Sequence, residues 1–103
     1  MSAEEPHILI FGSRDTTTVR LPLPSRDALV DRLRSENMPE SMVGPMRAAE
    51  VGQGVSLEPW EKRELLGVCC RWLSETNVTG LPPGIFDLRN ELLNEKAYGA
   101  LDE

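Results

Sequence analysis

The feature that most constrains the fold is the apolar run His7–Phe11, close to the start of the chain. It contains two isoleucines and ends at a glycine, a pattern typical of a strand buried on both faces. The segment 16–23 then alternates apolar residues, among them Val19 and Leu21, with polar residues and proline, as a strand with one wet face does. Because residues 12–15 supply turn chemistry, the sequence predicts a β-hairpin over about residues 7–23.

Apolar residues recur at helical spacing in three later segments: about 26–36, 57–76 and 83–95. We expect Ser25 to cap the first helix, and the second to open near Ser56 and to end at Asn77. The connection 38–55 contains several prolines and glycines, which predict a largely irregular path with one short helix around residues 46–50.

A two-stranded hairpin is marginal by itself, so other elements must cover it. Three amphipathic helices over one face give a single α+β domain spanning residues 1–103, with frayed termini at 1–5 and 97–103. The second face of the strand His7–Phe11 is as apolar as the first. We therefore expect either a third short strand near 54–57 or a second subunit, and with the latter a homodimer.

Charge and hydropathy limit the classes of partner. Eleven Lys and Arg against seventeen Asp and Glu give a net charge of −6, which repels nucleic acid and anionic membranes. No apolar run approaches the ~18–20 residues of a membrane span, and the acidic N-terminus does not resemble a signal peptide. The sequence predicts an acidic, soluble, cytoplasmic protein with reduced thiols.

Two adjacent cysteines, Cys69 and Cys70, are the first candidates for chemistry. At helical spacing Cys69 falls within an apolar stripe and Cys70 at its border. A nucleophilic thiol needs a nearby cation or helix N-terminus and a base, whereas these cysteines lie in mid-helix. A zinc site needs about four ligands, and His7 is the only histidine. We expect the thiols to fill space, and predict neither catalytic residues, nor a metal, nor a cofactor.

The stretch Ile8–Asp15 offers a different interpretation. A buried strand followed by Gly12, Ser13 and Arg14 resembles the opening of the YspA-like, Rossmann-type nucleotide-binding proteins, and the resemblance covers eight residues of 103. It implies that Gly12 admits a phosphate, that Ser13 donates a hydrogen bond and that Arg14 pairs with its charge. The chain departs from that family immediately afterwards, since residues 16–22 have a strand pattern where a helix should begin. An ordinary hairpin turn is the interpretation we favour.

The leading functional hypothesis is a small non-enzymatic protein-interaction or regulatory module that binds another protein or itself. The alternative is nucleotide or small-molecule binding through the loop of Gly12, Ser13 and Arg14. The candidate interaction surface comprises Val19, Leu21, Met42, Met46 and Trp60. The two methionines have a competing interpretation as ordinary core residues. Trp60 has a competing interpretation as a residue that packs on the connection 38–55.

Overall fold

The computed structural model describes residues 6–11 and 18–97, and the side chains of all of these except Phe11 and Lys96. The predicted α+β class, the hairpin and the three helices are confirmed, and a further helix is added. Of the ends predicted to be frayed, 1–5 and 97–103, only Ala97 lies within the described residues, where it is the last residue of the final helix. Along the chain the elements are β1 (His7–Phe11), β2 (Thr18–Pro22), α1 (Leu23–Ser35), α2 (Glu40–Ala48), β3 (Gly54–Val55), α3 (Pro59–Gly80) and α4 (Ile85–Ala97).

The sheet has the order β2-β1-β3, with β1 in the centre. β2 pairs antiparallel to β1, with Ile10 opposite Val19, and β3 pairs parallel to it, with Ile10 opposite Val55. The N–H of Leu9 also donates to the carbonyl of Gln53 at 2.9 Å. The third strand predicted near 54–57 is therefore present at residues 54–55, on the edge of β1 that the hairpin leaves open.

One face of the sheet is buried under the helices, and the other is not. Ile8 and Ile10 of β1 are almost completely buried and lie opposite Leu21 and Val19 of β2. Leu9, which points the other way, is only half-buried. The prediction that β1 is buried on both faces was wrong, because the helices pack against the face that carries Ile8 and Ile10.

α1 begins earlier than predicted, and Ser25 is not its cap. The helix starts at Leu23, directly after the extended residue Pro22, with a second proline in its first turn. The fixed φ angle of proline suits a first turn, where its missing N–H is not needed. Ser25 instead lies inside the first turn and is 1% exposed. Its hydroxyl has no hydrogen-bond partner among the described residues.

α2 fills much of the connection that the sequence left irregular. It spans Glu40–Ala48, with Pro45 in its interior, rather than residues 46–50. Its apolar side chains Met42, Val43 and Met46 are 0% exposed and belong to the core. Their burial supplies the tertiary energy that overrides an unfavourable local propensity.

The ends of α3 follow the local sequence closely. The N–H of Glu58 donates to the Glu61 carboxylate at 2.9 Å in a capping box, and Pro59 is the first helical residue. The start is thus three residues beyond Ser56. At the other end Asn77 has φ 65°, which interrupts the helix where the sequence placed its end, and one short turn follows. α4 then runs back along α3.

Candidate functional site

Four of the five residues predicted to form an interaction surface lie in the interior. Val19 is 9% exposed, and Leu21, Met42 and Met46 are 0% exposed. The two β2 residues face the helices because they lie opposite Ile8 and Ile10, and the methionines anchor α2. These four side chains therefore do not form an exposed surface, and core filling is the correct interpretation of the methionines.

Trp60, the fifth residue, lies at the start of α3 and is half-buried. Its indole N–H donates to the Glu58 carboxylate at 3.0 Å, so the ring folds back over the N-terminal end of its own helix. Trp60 is not among the half-buried apolar residues that pack against the core in the described chain. Those residues are Leu23, Met38, Cys70, Trp72, Leu73 and Phe86. Trp60 keeps part of its ring available at the surface.

The nucleotide alternative depends on Gly12, Ser13 and Arg14, which lie outside the described residues. The elements on either side are described: β1 enters the segment and β2 leaves it, paired antiparallel to β1. A Rossmann-type phosphate site instead has a helix directly after the loop, with its N-terminus aimed at the phosphate. The fold that the resemblance implied is therefore absent at this point, while the ligand of the loop stays a prediction.

The cysteines behave as the helical pattern predicts. Cys69 is 0% exposed, and burial raises the pKa of its thiol to about 12. Such a thiol stays protonated at neutral pH and is a poor nucleophile. Cys70 is half-buried, at the border of the same stripe.

A charged cluster that the sequence did not reveal joins α1 to α3. Two guanidinium nitrogens of Arg32 donate to the two carboxylate oxygens of Glu75, at 2.9 and 2.6 Å. A third nitrogen donates to Glu36 at 2.7 Å, and Glu36 accepts in turn from Arg71 at 2.8 Å. The Arg32 guanidinium also lies 5.7 Å from the ring centre of Trp72. We call Arg32, Glu36, Arg71 and Glu75 the α1–α3 ion cluster.

Hydrogen bonding sets the protonation of this cluster. Burial alone would raise the pKa of Glu36, but hydrogen bonds from Arg32 and Arg71 hold that pKa below its ordinary value. A hydrogen bond from Arg32 likewise lowers the pKa of Glu75. The same bonds raise the pKa of Arg32. Arg32, Glu36 and Glu75 therefore stay charged at neutral pH, and their bonds tie α1 to α3.

A second charged contact is buried. The ammonium of Lys62 lies 3.3 Å from Glu95, and the two side chains are 3% and 9% exposed. Lys62 is on α3 and Glu95 on α4, so the pair links the two helices. Glu61 and Glu64 lie within one turn of Lys62 on the same helix, a local pattern typical of a solvated face. Because Lys62 and Glu95 lie 33 positions apart, no local sequence pattern indicates that they pair.

A third contact joins α1 to α2. One terminal nitrogen of Arg26 donates to the carbonyl oxygens of Met46, Arg47 and Ala49, at 3.1, 3.2 and 2.9 Å. Asp27 holds the other side of the guanidinium, 2.6 Å from its Nε. A cation at these carbonyls satisfies groups that a helix C-terminus leaves without partners.

The outer sheet face is the face of the sheet opposite to the one that carries Ile8 and Ile10. It is defined here by His7, Leu9, Thr18, Arg20 and Gly54, which point away from the helices. Thr18 and Arg20 are exposed, whereas Leu9 is a half-buried apolar residue in the middle strand. Its cross-strand neighbours are Arg20 and Gly54, and because glycine has no side chain, Gly54 covers that flank of Leu9 with backbone atoms alone.

These features define a small α+β domain with a mixed three-stranded sheet and four helices over the described residues. The chain matches no protein-family model, no curated protein and no solved structure. Among the described helices none is both long and apolar enough to cross a membrane. Within the same residues no three His, Cys, Asp or Glu side chains are grouped so that they could hold a metal ion.

Proposed function

We propose that the chain is a small, non-enzymatic, cytoplasmic protein that acts as an interaction or regulatory module, and that it binds another protein through the outer sheet face. The observation that carries the proposal is the position of Leu9. It lies on the central strand, half-buried, between Arg20 and the side-chain-free Gly54. An apolar centre with a polar rim is the usual anatomy of a protein contact surface.

The sheet gives this surface a fixed shape. Ile8 and Ile10 hold β1 from below, since both are buried in the core. Leu9 between them therefore presents its side chain from a backbone that is hydrogen-bonded on both edges, to β2 and to the segment 53–55. A contact on so rigid a strand needs little ordering of the protein when a partner binds, which lowers the entropic cost of association.

The size of the surface argues for a heterologous and transient contact. Strands rise about 3.3 Å per residue and lie about 4.8 Å apart, so strands of five, five and two residues offer roughly 190 Å². A stable interface needs about 800 Å² from each partner. A homodimer would therefore need additional surface beside this face, and we propose self-association only as the lesser alternative.

Site-specific photo-crosslinking tests the proposal. A photoreactive phenylalanine analogue replaces Leu9 in one variant and the exposed Glu64 of α3 in the control, and both are expressed in the native host. We expect position 9 to yield one discrete protein adduct that position 64 does not, and we expect an additional Arg20→Glu substitution to remove it. Identical adducts from both positions, or none from position 9, would contradict the proposal.

Two measurements on the purified protein separate the alternatives. Sedimentation at high micromolar concentration distinguishes a monomer from a homodimer. A thermal-shift panel of nucleotides tests the loop of Gly12, Ser13 and Arg14, since a ligand that binds only the folded state raises the melting temperature. A shift with one nucleotide that Arg14→Ala removes would favour nucleotide binding over the module that we propose.

A further inference from the structure

α2 is the helix whose own sequence supports it least. It has nine residues, an interior proline at position 45, a glycine at 44, and no side-chain hydrogen bond at its N-terminus. Helices shorter than about 12–15 residues are marginal in water even with favourable sequences. An interior proline removes one backbone hydrogen bond, and glycine lowers helix propensity further. α2 therefore depends on contacts with the rest of the domain.

Those contacts are concentrated on one neighbour. α2 packs mainly on α1, whereas α3 and α4 pack on each other and α1 and α4 pack on the sheet. On the apolar side it is held by Met42, Val43 and Met46. On the polar side, Arg26 of α1 donates to three carbonyl oxygens at its C-terminal end. The guanidinium is itself well covered, with the Arg26 side chain 12% exposed.

The backbone at both ends of α2 already has turn geometry. Asn37 precedes the helix with φ 61°, and Gly52 follows it with φ 81°. These residues end α1 and begin the approach to β3, where the N–H of Gly52 donates to the carbonyl of His7 at 2.8 Å. Residues 38–50 can thus leave the domain without breaking either the hairpin or the pairing of β3.

We propose that α2 is a conformational switch: it opens from α1 as one unit, and the Arg26 guanidinium is the latch that sets how often it does so. Opening exposes Met42, Val43 and Met46, which are fully buried in the closed domain. The Arg26 latch therefore sets how often these three apolar side chains become exposed to solvent. This exposure does not involve the outer sheet face.

Backbone amide hydrogen exchange on the intact chain tests this proposal. Stabilities within a domain differ by region, and an element that opens alone exchanges faster than the global unfolding rate allows. In the wild type we expect amides of α2 to exchange faster than the slowest amides of α1 and α3. In Arg26→Gln we expect a further acceleration of α2 on the order of tenfold, since three charge-assisted hydrogen bonds are lost, while α3 is unchanged.

Two further variants make the test specific. Arg34→Gln removes an equal charge from the same helix, but Arg34 approaches α2 only through Glu40 at 3.8 Å, so we expect α2 exchange to stay near wild type. Pro45→Ala restores a backbone N–H inside α2, at a position whose side chain is exposed. We therefore expect slower amide exchange in α2 alone. Exchange of α2 in step with α3 in the wild type, or equal acceleration of every element in Arg26→Gln, would overturn the proposal.

Discussion

The ammonium nitrogen of Lys62 lies 3.3 Å from a carboxylate oxygen of Glu95, and this pair joins α3 to α4 with both side chains almost completely buried. Removing one member of such a pair takes away the ionic partner of the other charge while that charge stays in a medium of low polarity. Removing one partner is therefore expected to cost more stability than the intact pair contributes.

We expect Lys62→Met to destabilise the domain by about 3–5 kcal/mol, whereas the double variant Lys62→Met, Glu95→Leu should recover most of that loss. Urea unfolding of the wild type, both single variants and the double variant gives the coupling energy. A loss in the double variant equal to the sum of the two single losses would show that the charges contribute nothing beyond packing.

Gly84 has φ 88°, and a Cβ added there would lie 3.1 Å from the carbonyl oxygen of Arg20. We expect Gly84→Ala to cost about 1–3 kcal/mol, because it combines a strained backbone with a close approach to β2. Gly44→Ala is the matched control: its Cβ would meet nothing within 4 Å and it lies inside α2, so we expect a gain of about 0.5–1 kcal/mol. Thermal unfolding distinguishes the two, and similar shifts from both would contradict the described backbone at Gly84.

The α1–α3 ion cluster predicts how stability depends on pH. The pKa of Glu36 and the pKa of Glu75 are lower in the folded protein than their ordinary value of 4.5. A lowered carboxyl pKa contributes stability that is present above the unfolded pKa and is lost as pH falls through the folded one. We expect the urea midpoint to fall between about pH 5 and pH 3, and to fall less in Glu36→Gln. A Glu36→Gln profile parallel to that of the wild type would refute this role.

The two cysteines should differ in reactivity. Burial raises the pKa of Cys69 to about 12, so its thiol should resist alkylation until the domain unfolds, whereas the half-buried Cys70 should react in the native state. Mass spectrometry after brief iodoacetamide treatment, with and without denaturant, locates the adducts. Native labelling of Cys69 at a rate similar to that of Cys70 would place it outside the core.

Ser25 carries a buried hydroxyl that has no hydrogen-bond partner within residues 6–11 and 18–97. Replacing such a group with a methyl removes a desolvation cost, so we expect Ser25→Ala to leave stability unchanged or to raise it by up to about 1 kcal/mol. The exposed Ser41→Ala serves as a comparison of equal chemistry. A marked loss in Ser25→Ala alone, measured by urea unfolding, would reveal a partner of the hydroxyl.

Local patterns were sufficient for the elements whose burial alternates regularly. Val19 and Leu21 alternate with polar neighbours and face the core, although they had also been candidates for an interaction surface, and the stripe through Cys69 is the buried face of α3. The existence of α3 follows from its helical spacing, but its start near Ser56 was predicted too early, and the capping box of Glu58 with Glu61 was not predicted. In these places propensity and tertiary packing favour the same structure.

The remainder depended on contacts between distant residues. Pro39, Gly44 and Pro45 predict a break, but α2 forms because Met42 and Met46 are buried against the core. The bond between Arg32 and Glu75 joins residues on different helices, so spacing along the chain could not reveal it. The outer sheet face became recognisable only when the parallel register placed Gly54 beside Leu9.

That register also governs how the molecule folds. β2 follows β1 after a short connection, whereas β3, the other neighbour of β1, lies beyond α1 and α2 in the sequence. Pairings of such long range slow folding, because much of the chain must be ordered before they form. Until then the second edge of β1 is an unprotected template for strands of other molecules, so the pairing of the two-residue β3 with β1 protects this edge against aggregation.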